Sequence, residues 1–101
     1  MKFIHIRNYD ENGQVASRGG ITIAYRIEGD EVIYAVARCR DTDNFNKQLG
    51  RAKASGRTYS ATQSVRLRIT NSDLSQNQQQ SYLDQLVRSA ALRDVGAEMV
   101  H

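Results

Sequence analysis

Hydrophobic positions recur first at every second residue and later at every third or fourth, and the order of these rhythms predicts the elements. Lys2 to Arg7 alternates as a first strand, with Phe3 and His5 on one face and Ile4 and Ile6 on the other. Asn12-Gly13 is a strong turn signal, and Arg18-Gly19-Gly20 marks a second turn or a bulge. Ile21 to Ile27 places Ile21, Ile23, Tyr25 and Ile27 on one face. Gly29-Asp30 then reverses the chain into a strand with Val32, Tyr34, Val36 and Arg38 on one face and Ile33, Ala35 and Ala37 on the other. Two apolar faces predict a central strand. Val65 to Ile69 alternates again, with Arg66 and Arg68 on an exposed face.

A first helix is expected to start from an N-cap at Thr42 or Asp43. Phe45, Leu49 and Ala52, at i, i+4 and i+7, would pack it on the sheet, and Gly56 would end it as a left-handed C-cap. Arg57 to Gln63 reads as a polar, mobile loop. Asn71, Ser72 or Asp73 caps a second helix whose polar start, Ser75 to Gln80, can fray and which Gly96 stops. The prediction is a single α+β domain over residues 1–101, an antiparallel sheet of about four strands with two helices. Tyr82, Leu83, Leu86, Val87 and Ala90 make an apolar stripe wider than a short sheet needs. A homodimer or larger assembly, with the C-terminal helix at the subunit interface, is therefore expected.

Composition narrows the function classes. A chain of 101 residues builds one core of modest size, and 25% charged residues is too ordinary a share for global disorder. A net charge of +3 and a pI of about 9.3 favour an anionic partner only weakly. Cys39 is the only cysteine, which leaves no internal disulfide and no thiolate zinc site, and His5 and His101 lie at opposite ends without ligand spacing. Neither a metal nor a cofactor is expected. No apolar stretch suits a signal peptide or a bilayer span of roughly 20 residues, so the expected location is the cytosol.

The segment from Cys39 to Arg57 holds the candidate chemistry. Gly50 in mid-helix costs roughly 1 kcal/mol relative to alanine, which either a close-packed neighbour or a ligand at the backbone would explain. Lys47 and Arg51 are four apart and share a helix face, with Arg40 before and Arg57 after. Two or three of these cations together would hold a phosphate by charge-assisted hydrogen bonds; a solvated helix face explains the same charges. Asp41 and Asp43 suit capping better than acid–base work. Arg66 and Arg68 lack the interleaved aromatics of an RNA reader, and Arg88 and Arg93 complement the negative end of the second helix. Ser55, Ser60, Ser64 and Cys39 have no histidine close in sequence to act as a base, so no enzyme is expected.

The run from Ile21 to Arg26, then Tyr34 to Cys39, Asp43 to Arg51, Ala54 and Gly56-Arg57 resembles a set of small bacteriophage proteins that includes the Thoeris anti-defence sponges of the first type. The likeness covers residues 21 to 57 and continues beyond them only in the order of elements. It implies a non-catalytic protein of the bacterial host cytoplasm that sequesters a cyclic nucleotide immune signal, a cyclic ADP-ribose isomer or a cyclic oligonucleotide. It also implies dimers or higher assemblies with pockets between subunits. By the same resemblance Lys47 and Arg51 would lie near phosphates, flanked by Arg40 and Arg57, with Asn44 near ribose or base. Tyr82, Arg88 and Arg93 of a partner's C-terminal helix would close the site. The alternatives are inhibition of a host protein by docking of the basic helix on an acidic surface, or weak nucleic-acid binding through Arg66 and Arg68.

Overall fold

Every strand expected from the alternation forms, and each pairs antiparallel with its neighbour in sequence. β1 (Lys2–Ile6), β2 (Ile21–Glu28), β3 (Glu31–Arg38) and β4 (Val65–Arg68) make a four-stranded sheet in the order β1-β2-β3-β4. α1 (Lys47–Arg57) lies between β3 and β4, and α2 (Gln76–Met99) follows β4. The architecture is α+β. The computed structural model describes residues 1–40, 42–69 and 76–99, the side chains of 76–78 and 94–99 excepted. The expected caps of the second helix, Asn71, Ser72 and Asp73, lie outside the described residues.

The β2–β3 hairpin sets the register for the rest. Gly29, at φ 63°, supplies the left-handed backbone that a two-residue loop requires, and Tyr25 then faces Tyr34 while Ala24 faces Ala35. The pleat sorts side chains by size. Ile4, Ile21, Ile23, Tyr25, Val32 and Tyr34 form one face, which α2 covers with Leu83, Val87, Ala90 and Ala91. The opposite face carries Ala24 and Ala37, where Ala54 of α1 packs. The helices therefore sit on opposite faces of the sheet, and β2 and β3 are buried from both sides.

α1 departs from the expected pattern. Its N-cap is Asn46, whose Oδ1 accepts from the Leu49 N–H at 3.0 Å, and not Thr42 or Asp43. The cause is non-local. The Gly19 N–H donates to the Asp43 carbonyl, the Phe45 N–H donates to the Ser17 carbonyl, and Arg18 bridges Asn44, which holds residues 43–45 out of the helix. The sheet-facing stripe is then Gly50 and Ala54, whereas Leu49 is 51% exposed and Ala52 is exposed too. A floor of threonine and alanine admits small residues at close range and leaves no room for leucine. Phe45, half-buried, precedes the helix and packs by the β1 edge.

At its other end α1 runs through Gly56, which keeps helical backbone, to a C-cap at Thr58. Thr58 is buried and its hydroxyl donates to the Ser55 carbonyl at 2.7 Å. Arg57 belongs to the helix, and residues 58–63 close into turns instead of an open loop, with Ser64 bonded to the Ser60 carbonyl through both N–H and hydroxyl.

α2 is tied to the sheet by a polar clamp as well as by its stripe. The Tyr25 hydroxyl donates to Asp84 Oδ1 and accepts from Gln80 Nε2, and Gln80 also reaches Asp84 at 3.0 Å. Burial, reinforced by the Asp84 carboxylate, pushes the Tyr25 hydroxyl well above its ordinary pKa, so it stays a neutral donor. The expected stripe is used by the chain's own sheet: Leu83, Val87 and Ala90 are buried, with Tyr82 and Leu86 half-buried against the same core. The helix continues past Gly96 to Met99. Among the described residues no helix is long and apolar enough to cross a membrane.

Candidate anion-binding site

The close seat of α1 on the sheet divides its surroundings into two flanks. A cleft of about 230 Å³ opens between its first turns and the end of β3. Arg40 and Lys53 bring two cations to it, Asn44 and Asn46 bring amides, and Ala37, Phe45 and Leu49 give it an apolar floor. Arg38 lines it at the strand end, although its register places its side chain on the Ile21 face of the sheet. Asp43 is the one carboxylate among the described lining residues. Cys39 lies at its edge, its thiol in weak contact with the carbonyls of Asp43 (3.4 Å) and Asn44 (3.5 Å).

The structure brings Arg40 and Asn44 together in this cleft, and puts Lys47 and Arg51 on the other flank, toward β1. There they act on His5, whose pKa lies below its ordinary value through burial first and then through the charges of Lys47, Arg51 and Arg7. Arg57 does not line the cleft; its Nη1 donates to the Val36 carbonyl at 2.8 Å and ties α1 to β3. Tyr82, Arg88 and Arg93 lie on α2, across the sheet from α1. Within one chain they do not meet the α1 residues.

The cations around α1 are unlike those of β2 and β4 near the β2–β3 turn. Arg26 pairs with Glu28 at 2.7 Å, Arg66 lies 3.7 Å from Glu31, and Arg68 lies 3.4 Å from Asp30. No ion pair among the described residues involves Arg38, Arg40, Lys47, Arg51 or Lys53. The sequence from Asn44 to Ser72 contains no acid at all. α1 also has no acid in its first turn, where one would stabilise the positive end of the dipole, and carries Lys47 there instead. Helix stability does not explain that lysine.

A larger cavity, about 360 Å³, lies beside Arg26, Tyr59, Ser60, Ser64 and Arg66. Its arginines already have carboxylate partners, and the Arg26 guanidinium stacks on the Tyr59 ring at 4.4 Å. That stacking accounts for an otherwise exposed tyrosine and makes this cavity the poorer anion site. Arg38, Lys53, His5 and Arg7 were missed by local reasoning about the α1 segment. The acid-free run after Asp43 and the shared face of Phe3 and His5 were the available signals. No protein-family model, curated protein or solved structure matches the chain.

Proposed function

We propose that this is a non-catalytic sequestering protein of phage origin. It would hold a cyclic nucleotide immune signal, a cyclic ADP-ribose isomer or a cyclic oligonucleotide, in the cleft beside α1, within the bacterial cytoplasm. The observation that carries this reading is the pair Arg40 and Lys53, without carboxylate partners among the described residues, beside an apolar floor and two amides. Phosphates need the cations, a base needs the floor, and a ribose or base edge needs the amides. At about 230 Å³ the cleft is smaller than the roughly 300–1,000 Å³ usual for ligand pockets. The rest of the enclosure would come from a second copy, with Tyr82, Arg88 and Arg93 of its α2 over the opening. A homodimer or larger assembly is thus part of the proposal.

Thermal melting against a panel of cyclic nucleotides tests it. One or more should raise the melting temperature, protect Cys39 from alkylation and be released unchanged in mass. Arg40→Ala and Lys53→Ala should each weaken binding about tenfold, the loss of one charge-assisted hydrogen bond. Absence of any shift across the panel would reject the reading. Leu49, half-exposed among the cations of α1, favours a second one, a host-protein inhibitor that docks through this helix. Its mark is a shift only with the protein partner.

A further inference from the structure

We propose that the β1 flank of α1 is a separate site for a phosphate-class oxyanion, formed by His5, Arg7, Lys47 and Arg51 around the Phe45 ring, and that it binds more tightly as the pH falls. Phe45 is the centre of the arrangement. The His5 ring meets it edge-on at 5.8 Å and 86°, and the Arg7 guanidinium lies 4.4 Å from its centroid. Both come from the β1 side, Arg7 just past the strand end and held by Nη2 on the Ala16 carbonyl at 2.9 Å. Lys47 follows Phe45 by two residues and Arg51 lies one turn further on.

Arg7 and the imidazole thus meet at Phe45, and Lys47 and Arg51 of α1 act on that imidazole through their charge. The groups that face His5 are Arg7 from the β1 side, Thr22 of β2, and Lys47 and Arg51 of α1; Thr22 is neutral and the others repel a charged ring. None of the three cations is in an ion pair among the described residues. Like charges four apart on a helix oppose its formation, and Lys47 sits at the positive end of the dipole. An anion between them reverses each of these penalties.

The pH response follows from His5. Its Nδ1 is bonded to Thr22 Oγ1 at 3.0 Å, which fixes the ring and leaves Nε2 as its other polar atom. Burial and the neighbouring cations keep the ring neutral near pH 7. A bound oxyanion favours the imidazolium, and by linkage the protonated protein binds that anion more tightly.

Sulfate is the suitable probe, because its charge is constant across the range in which His5 titrates. The His5 ring C–H resonances are followed by NMR with sulfate and with chloride at equal ionic strength. Sulfate should raise the His5 midpoint and bind at least about threefold more tightly near pH 5 than near pH 7.5. Lys47→Gln with Arg51→Gln should weaken it about tenfold or more. His5→Asn, which can still bond Thr22, should retain binding near pH 7.5 but lose the pH dependence. Inorganic phosphate compared with adenosine 5′-monophosphate distinguishes the source: equal affinity means a free anion, tighter binding of the nucleotide means a phosphate presented on a nucleoside. Arg40→Ala, which removes a cation of the cleft, should leave the response of the His5 midpoint to sulfate intact, so failure here is separable from failure of the nucleotide reading. A His5 midpoint indifferent to sulfate, or equal affinity at both pH values, would overturn the site.

Discussion

A Cβ built on Gly50 would collide with the Thr22 hydroxyl and stand 3.1 Å from the Thr22 Cβ, so α1 rests on β2 at a distance that only glycine allows. Thr22 is 1% exposed and its hydroxyl is bonded to His5, so it cannot swing away freely. Gly50→Ala gains about 1 kcal/mol of helix propensity, but overpacking costs typically about 1–3 kcal/mol. Net destabilisation in urea melts is the expected result. Thr22→Ala removes the colliding hydroxyl and leaves only the 3.1 Å Cβ contact, and in that background Gly50→Ala should cost less than in the wild type, a coupling of about 1–2 kcal/mol. Additive effects of the two substitutions would show that α1 does not sit as described.

Tyr25→Phe tests the clamp on the other face. It leaves Asp84 and Gln80 bonded to each other but removes their link to the sheet. A loss of about 1–2 kcal/mol is expected, because a hydrogen bond to a charged group is removed from a part-buried position. The effect should be local. Amide hydrogen exchange should accelerate in α2 and leave α1, which packs on the opposite face, near its wild-type rate. Equal acceleration in both helices would argue against a separate α2 clamp.

Local pattern carries the sheet because each strand's period of two needs only its own residues, and the Asn12-Gly13 and Gly29-Asp30 signals lie between strands that pair as neighbours. It fails at the start of α1 because what holds residues 43–45 out of the helix is a segment more than twenty residues earlier, from Ser17 to Gly19. The same non-local contact shifts the buried stripe from Phe45, Leu49 and Ala52 to Gly50 and Ala54. In the candidate site, Arg40 and Asn44 were legible as chain neighbours of the helix. Lys47 and Arg51 were correctly paired on one face, but that face points away from the cleft. Lys53 meets Arg40 there only because β3 ends beside α1, and His5 joins Lys47 only because β1 is the adjacent edge of the sheet.

Arg66→Ala should behave differently from any change at α1. Arg66 is half-exposed and lies 3.9 Å from Glu28 and 3.7 Å from Glu31, distances at which a surface pair contributes little. Stability should change by less than about 0.5 kcal/mol, with nucleotide and sulfate binding intact. Loss of either ligand in this variant would move the site to the cavity beside Arg26.

The pH dependence of stability provides a check on His5 without any ligand. Its folded pKa lies below the ordinary 6.5, through burial first and then Lys47, Arg51 and Arg7. The unfolded chain therefore takes up the proton first as the solution is acidified. Between 6.5 and the lower folded value the unfolded state binds more protons, so stability is fully present above 6.5 and declines as the pH falls through that window. The Glu28 carboxyl, held below its usual range by the Arg26 hydrogen bond, titrates in more acid solution and does not obscure it. Urea midpoints measured at a series of pH values, in a His101→Gln background that leaves His5 as the remaining histidine, should fall across the window. His5→Asn in that background should flatten the fall, and sulfate should offset part of it in the chain that retains His5. The same slope with and without His5 would remove this residue from the electrostatics of the α1 flank.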